Sequence, residues 1–207
     1  KEGFTVAVLY LSTVDPSAEI YEQILPQGFL AGSLCYKREE DRARSLCCRY
    51  LLFEHLKKEG LNPEEDRILW VRGEKPALEK TPLQFSFSHS GRLSAVLVDE
   101  SFCGVDVELV RMIDADRLAA RMLLEKDLEA FLSAPDKNVR FIELFTKMEA
   151  KGKYMGTGLV HQKVALADLS EVKTRKAALG EERYCLSYLA KKEPQIVLTG
   201  EGLFLEE

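Results

Sequence analysis

Gly104-Val105-Asp106-Val107-Glu108 sets two carboxylates at i and i+2 of an apolar run. Side chains alternate along an extended strand, so Asp106 and Glu108 emerge on one face, about 6.5–7 Å apart along the backbone. Such a pair suits a divalent cation. Mg²⁺ takes oxygen ligands, keeps several waters and is held by one or two carboxylates together with substrate phosphates. The pair therefore points to a phosphate ester or pyrophosphate, although an acidic edge strand facing solvent carries the same pattern. Further along, Glu149 and Lys153 stand at i and i+4 of a helical segment. That spacing also stabilises a helix by about 0.3–0.5 kcal/mol as an ordinary surface pair. Gly152 between them is unfavourable by about 1 kcal/mol relative to Ala, and Gly156-Thr157-Gly158-Leu159 follows. Helix stability alone does not account for that stretch. In Phe85-Ser86-Phe87-Ser88-His89-Ser90-Gly91, His89 ends a strand between two hydroxyls. His, Ser and exposed backbone N–H groups all donate to anionic oxygens, so Ser88 and His89 are candidates for holding a phosphate. His55 and His161 have no such company and read as structural.

The elements that must position these residues follow from periodicity and breaks. Phe4 to Leu11 is a β-branched and aromatic run closed by Asp15-Pro16, a strand and then a turn. Lys37 to Glu59 shows helical spacing of Leu46, Tyr50, Leu51, Phe53 and Leu56, with Gly60 as the stop. Ile68 to Val71 is a short strand, and Gly73-Glu74-Lys75-Pro76 is loop chemistry. Gln84 to His89, Leu93 to Asp99 and Gly104 to Leu109 are closely spaced strands that predict a meander. Helices are expected over about Asp114 to Met122, Glu125 to Phe131 and Lys137 to Met155, the last with Phe141, Leu144, Phe145 and Met148 on its apolar face. Strands return at Tyr184 to Leu189 and Gln195 to Leu198, around a hairpin-like polar break at Lys191 to Pro194. Strand, helix, strands thus occurs once up to about residue 98 and again afterwards, with no residue-level repeat. The expected fold is α+β, built of two similar α/β halves over residues 1–98 and 99–207, the second carrying the metal site.

Composition narrows the class. A chain of 207 residues with 46% hydrophobic content can build a core without staples, which excludes disorder and a disulfide scaffold. Lys+Arg 29 against Asp+Glu 34 gives net charge −5, which argues against a general binder of nucleic-acid backbone. Any bound anion must be held by a local cluster. Cysteines 35, 47, 48, 103 and 185 include no C-x-x-C pair and read as buried free thiols in a reducing compartment. The start lacks secretory features, and Phe4 to Leu11 is too short to span a bilayer. A cytoplasmic protein without membrane attachment is expected.

Taken together, these pieces resemble the Sfp-type 4'-phosphopantetheinyl transferases of the holo-[acyl-carrier-protein] synthase superfamily. That family's motifs read approximately G-K-P, F-N-x-S-H-S, G-I-D-I-E and W-T-x-K-E-A-x-x-K-x-x-G-x-G-L. In the same order this chain has Glu74-Lys75-Pro76, Phe85 to Ser90, Gly104 to Glu108, and Phe145-Thr146-Lys147-Met148-Glu149-Ala150-Lys151-Gly152-Lys153 continuing to Leu159. The resemblance spans about residues 36 to 159, and four motifs in one order are far more specific than any one alone.

The resemblance implies a pseudo-twofold monomer that moves 4'-phosphopantetheine from coenzyme A to a serine of an apo acyl or peptidyl carrier protein, releasing adenosine 3',5'-bisphosphate. Asp106, Glu108 and Glu149 would hold Mg²⁺ with the coenzyme A pyrophosphate, and Lys153 would supply a second cation. Lys75 and His89 match positions that touch the nucleotide end of coenzyme A, and Ser88 is a further candidate for binding it. Arg44 resembles an arginine contacting the 3'-phosphate, with Lys37, Arg38 and Arg42 as weaker candidates. Glu149 or a water on the metal would accept the serine proton. The chain departs from the pattern at Met148, where the family has Lys. Lys147 one place earlier is turned about 100° around the helix. Phe145 stands for Trp and Ser86 for Asn. The Met148 exchange motivates an alternative, a non-catalytic homologue that binds coenzyme A or carrier proteins.

Overall fold

The computed structural model describes residues 7–71, 74–157 and 168–206. The chain is mixed α+β, with six α-helices and three sheets among those residues. Strand β1 (Val8–Thr13) is followed by α1 (Ala18–Ile24), α2 (Gln27–Leu30) and the long α3 (Glu39–Lys58). Two short strands, β2 (Ile68–Leu69) and β3 (Ala77–Leu78), pair with each other. Then come β4 (Gln84–Ser90), β5 (Leu93–Asp99) and β6 (Gly104–Leu109). Helices α4 (Ala115–Met122), α5 (Glu125–Leu132) and α6 (Lys137–Met155) lead to β7 (Lys173–Leu179), β8 (Glu182–Leu189), β9 (Gln195–Thr199) and β10 (Leu203–Leu205).

Two four-stranded sheets carry the core, ordered β4-β5-β1-β9 and β10-β7-β8-β6. The first sheet is covered on both faces, with apolar side chains predominating on β1 and β5 at its centre. Val8, Tyr10, Phe85, Val96 and Val98 pack beneath α3, on Leu46, Leu52, Phe53 and Leu56 among others. The opposite face, with Leu9, Leu11, Leu93, Ala95 and Leu97, packs against Val105, Val107, Tyr184, Leu186 and Tyr188 of the second sheet. Helix α6 lies on β6 and β8. It meets the remaining face of β8, where the Thr146 and Ser187 hydroxyls are 2.8 Å apart and Met148 and Ala150 cluster with Leu189. The layers thus run helix, sheet, sheet, helix.

Short-range chemistry sets both ends of α3 and of α6. Glu39, Glu40 and Asp41 occupy the first turn of α3, and Lys57 and Lys58 its last, each complementing the helix dipole. Asp136 caps α6 by accepting from the Val139 N–H at 3.0 Å, and Gly156 ends it at φ +69, a left-handed position that glycine fills without strain.

Several expectations are corrected. The meander does not form: β4 and β5 pair, but β6 leaves them and pairs with β8 in the other sheet. The polar break at Lys191–Pro194 is no hairpin, because β9 crosses to the first sheet and runs parallel to β1. Strand β1 starts later and ends later than expected, and residues 4–6 lie outside the described residues, as do Gly73, Gly158, Leu159 and His161. Helices α1 and α2 and strand β7 were not anticipated. The five cysteines are free, four buried as expected and Cys35 exposed. Among the described residues no helix is long and apolar enough to cross a membrane.

Candidate functional site

The edge strands of the two sheets, β4 and β6, lie side by side, and α3 and α6 close over them. A cavity of about 340 Å³ opens at this junction, lined by Tyr36, Ser45, Cys48, Trp70, Phe87, Ser88, His89, Asp106, Glu108, Glu149 and Lys153. A second of about 240 Å³ adjoins it across Trp70, Phe87 and Lys153, with Lys75, Pro76, Phe85, Ser86 and Gly156 in its wall. Candidates from three separate segments therefore share one space.

Gly104 makes that convergence possible. A Cβ there would lie 2.1 Å from the Ala150 carbonyl and 2.6 Å from the Tyr154 nitrogen, so only glycine lets α6 approach β6 so closely. The approach brings Glu149 and Lys153 beside the strand pair. Lys153 Nζ donates to Asp106 Oδ1 at 2.7 Å and to the Val105 carbonyl at 3.1 Å.

Asp106 is 3% exposed, and its Oδ1 also accepts from the Ser88 hydroxyl at 2.7 Å. Its Oδ2 is buried with no hydrogen-bond partner. A buried carboxylate oxygen left bare is costly. Glu108 Oε2 accepts from Ser90 Oγ at 2.8 Å, and burial raises the Glu108 carboxyl above its ordinary range. Glu149 is pushed up to about 7, first by burial and then by the Asp106 charge, with Lys153 opposing. His89 is pushed down to about 4, first by burial and then by the cations of Arg44 and Lys153, so its imidazole is neutral at pH 7 and keeps one N–H to donate. Three carboxylates, one ammonium and a neutral imidazole in one cavity suit an anion bound through a cation.

Among the described residues no three His, Cys, Asp or Glu side chains stand close enough together to hold a metal ion. The three carboxylates share the cavity without converging, as like charges in a poorly solvated space do. Their chemistry nonetheless fits a hard divalent cation. All the donors are oxygens, Asp106 Oδ2 lacks a partner among the described residues, and the Lys153 ammonium pairs with Oδ1.

The remaining candidates divide. Lys75 lines the smaller cavity, donates to the Cys103 carbonyl and lies 5.9 Å from the Phe102 ring centre, and burial lowers its ammonium below the ordinary range. Arg44 lines neither cavity. Its Nε holds the Gly91 carbonyl at 2.7 Å, and its Nη1 pairs with Asp41 at 2.5 Å. Lys37, Arg38 and Arg42 also line neither, and Arg42 pairs with Glu22. His55 is structural, with Nδ1 2.9 Å from the Tyr10 hydroxyl in the core.

Sequence reasoning missed Tyr36, Ser45, Cys48, Trp70 and Phe87. Trp70 is the only tryptophan of the chain and is 52% exposed. A lone tryptophan in a loop beside G-K-P-like chemistry is the one signal that pointed there. Behind it, Arg49 is 2% exposed, 5.2 Å from the Trp70 ring centre, with Nε and Nη1 unpartnered. Nothing in the sequence distinguishes Arg49 from the surface cations of the same helix. Compared with family models and with curated proteins, the sequence matches none.

Proposed function

We propose that the chain is a Mg²⁺-dependent 4'-phosphopantetheinyl transferase, moving phosphopantetheine from coenzyme A to a serine of an apo acyl or peptidyl carrier protein. The observation that carries this reading is the meeting of Asp106 and Glu108 with Glu149 and Lys153, from distant segments, in one cavity that His89 also lines. The motif order of the sequence and this convergence are independent, since spacing along a chain does not require contact in space.

In this reading Asp106, Glu108 and Glu149 would hold Mg²⁺, which would supply neutralisation of the pyrophosphate charge. Lys153 gives its ammonium to the pyrophosphate, and neutral His89 donates an N–H to a phosphate oxygen. The carrier serine oxygen forms a bond to the β-phosphorus of coenzyme A. The bond to the bridging oxygen breaks, and its electron pair leaves with adenosine 3',5'-bisphosphate. The serine proton passes to Glu149 or to a water in the cavity. Orientation within the cavity and charge neutralisation carry most of the acceleration, as in other phosphoryl transfers.

The two sheets support a reading as similar halves related by a pseudo-twofold axis, divided near residue 98. Counted outward from the junction, β4-β5-β1 and β6-β8-β7 are both antiparallel runs with one long helix packed on them. They differ at the fourth strand, where β9 is parallel to β1 and β10 antiparallel to β7. One chain holds every proposed site residue, which suits a monomer, and neither a membrane nor a nucleic acid enters the scheme.

Met148 does not favour the non-catalytic alternative. It is 5% exposed and packs with Ala150, Leu169, Val172 and Leu189, in neither cavity wall. Its exchange for the family lysine leaves no gap in the site. The test is intact-mass analysis of an apo carrier protein incubated with the chain, coenzyme A and Mg²⁺. A gain of one phosphopantetheinyl group, lost with Asp106→Ala and with EDTA, is expected. No gain on acyl or peptidyl carriers would overturn the proposal.

A further inference from the structure

Strand β6 is an edge strand, and its outward amides would be orphaned beside β4 without acceptors. Serines at every second position of β4 meet them. The Val105, Val107 and Leu109 N–H groups donate to Ser86, Ser88 and Ser90 Oγ at 3.1, 3.2 and 3.1 Å. Each hydroxyl retains its single hydrogen. Ser88 spends it on Asp106 Oδ1 at 2.7 Å and Ser90 on Glu108 Oε2 at 2.8 Å. Ser86 has no carboxylate to serve, because the residue preceding Val105 is Gly104.

We infer that Ser88 and Ser90 are positioning residues for the strand carboxylates, each clamping one carboxylate oxygen to the β6 backbone and presenting the other to a divalent cation. The inference rests on the divalent-cation reading of the site. A hydroxyl that accepts from a backbone amide and donates to the carboxylate of the preceding residue fixes that carboxylate's rotamer in advance of binding. For Asp106 the oxygen left over is the buried, unpartnered Oδ2. Ser88 therefore serves the carboxylate and not a phosphate, since its one hydrogen is already committed. The three rungs share the structural bond to β6, and only Ser88 and Ser90 among them donate to a strand carboxylate, so Ser86 supplies an internal control for the cost of breaking the ladder.

The test is Mn²⁺ binding to the full chain, followed by electron paramagnetic resonance with and without coenzyme A, with unfolding temperature recorded for each variant. Orienting partners of metal ligands typically govern 10–100-fold in affinity, so Ser90→Ala and Ser88→Ala are each expected to weaken Mn²⁺ binding by about tenfold or more. Ser86→Ala should keep wild-type affinity, and Ser90→Thr, which restores the hydroxyl, should recover most of the loss. Equal weakening in Ser86→Ala and Ser90→Ala would reduce the effect to ladder integrity and overturn the inference. Unchanged affinity in Ser88→Ala and Ser90→Ala, with the wild type binding, would overturn it while leaving the cation site standing. A wild type that binds no Mn²⁺ in either condition would remove the cation site and this inference together. If Ser88→Ala does not fold, Ser90→Ala and Ser90→Thr decide the matter.

Discussion

Glu149 carries the sharpest conflict between stability and chemistry. Its folded carboxyl titrates near 7, above the ordinary 4.5, because burial and the Asp106 charge disfavour ionisation. Between these values the folded state holds a proton that the unfolded chain has released. The associated stability is complete below pH 4.5 and is lost as pH rises through about 7. Without divalent ions, Glu149→Gln is therefore expected to melt higher than the wild type at pH 8, by about 2–4 °C if the relief is about 1 kcal/mol. The difference should shrink at pH 5, and transfer activity should be lost at both. Thermal melts across that range read it directly, and a variant melting lower at pH 8 would contradict the assignment of Glu149 to a crowded acidic pocket.

At the scale of elements, the contact of α6 with β6 is the hinge of the site. Gly104→Ala would drive a methyl into the Ala150 carbonyl and force the two elements apart. Overpacking of this kind costs about 1–3 kcal/mol. The displacement also moves Glu149 and Lys153 away from Asp106, so kcat/KM for coenzyme A should fall much more than stability does; a variant with wild-type kinetics would contradict the geometry. Helix α6 also explains Met148. Its side chain belongs to the cluster with Leu169, Val172 and Leu189, so Met148→Lys inserts an ammonium among apolar groups. We expect a loss of about 1–3 kcal/mol and no gain in transfer rate. A large gain would instead mark Met148 as the lesion of a degraded site.

At the scale of the molecule, net charge −5 sets the chain against an acidic partner such as the carrier proteins its motifs imply. If an acidic carrier protein is the partner, as proposed, long-range attraction would not steer the encounter and docking would depend on a local apolar and basic surface. The KM for the carrier should change only modestly between low and physiological salt, and a steep rise in steady-state assays would show that charge steering dominates. The layered architecture suits this division of labour. The cavities open where two sheet edges meet, while the extensive cores on either side of the first sheet hold those edges in register.

Sequence periodicity alone located α6 at Lys137–Met155 and α3 within two residues at its start, because both combine apolar spacing with a clear stop. The pairing of Asp106 and Glu108 on one face was likewise legible, since strand alternation is a local rule. The α+β class followed from the succession of such elements. What local rules cannot decide is which strand pairs with which. Gln84 to Leu109 reads as one meander, yet β6 sheds its neighbour β5 for β8, eighty residues away by rough count of the loop it must close. Helix α1 and strand β7 escaped because their polar and apolar residues follow neither period cleanly. Tyr36 and Trp70 became site residues only through the folding of their loops over α3 and β4. Residue types and spacing thus determined what chemistry this chain can hold. Tertiary structure decided whether the holders meet, because that depends on a glycine's missing side chain at position 104 and on packing between elements distant in sequence.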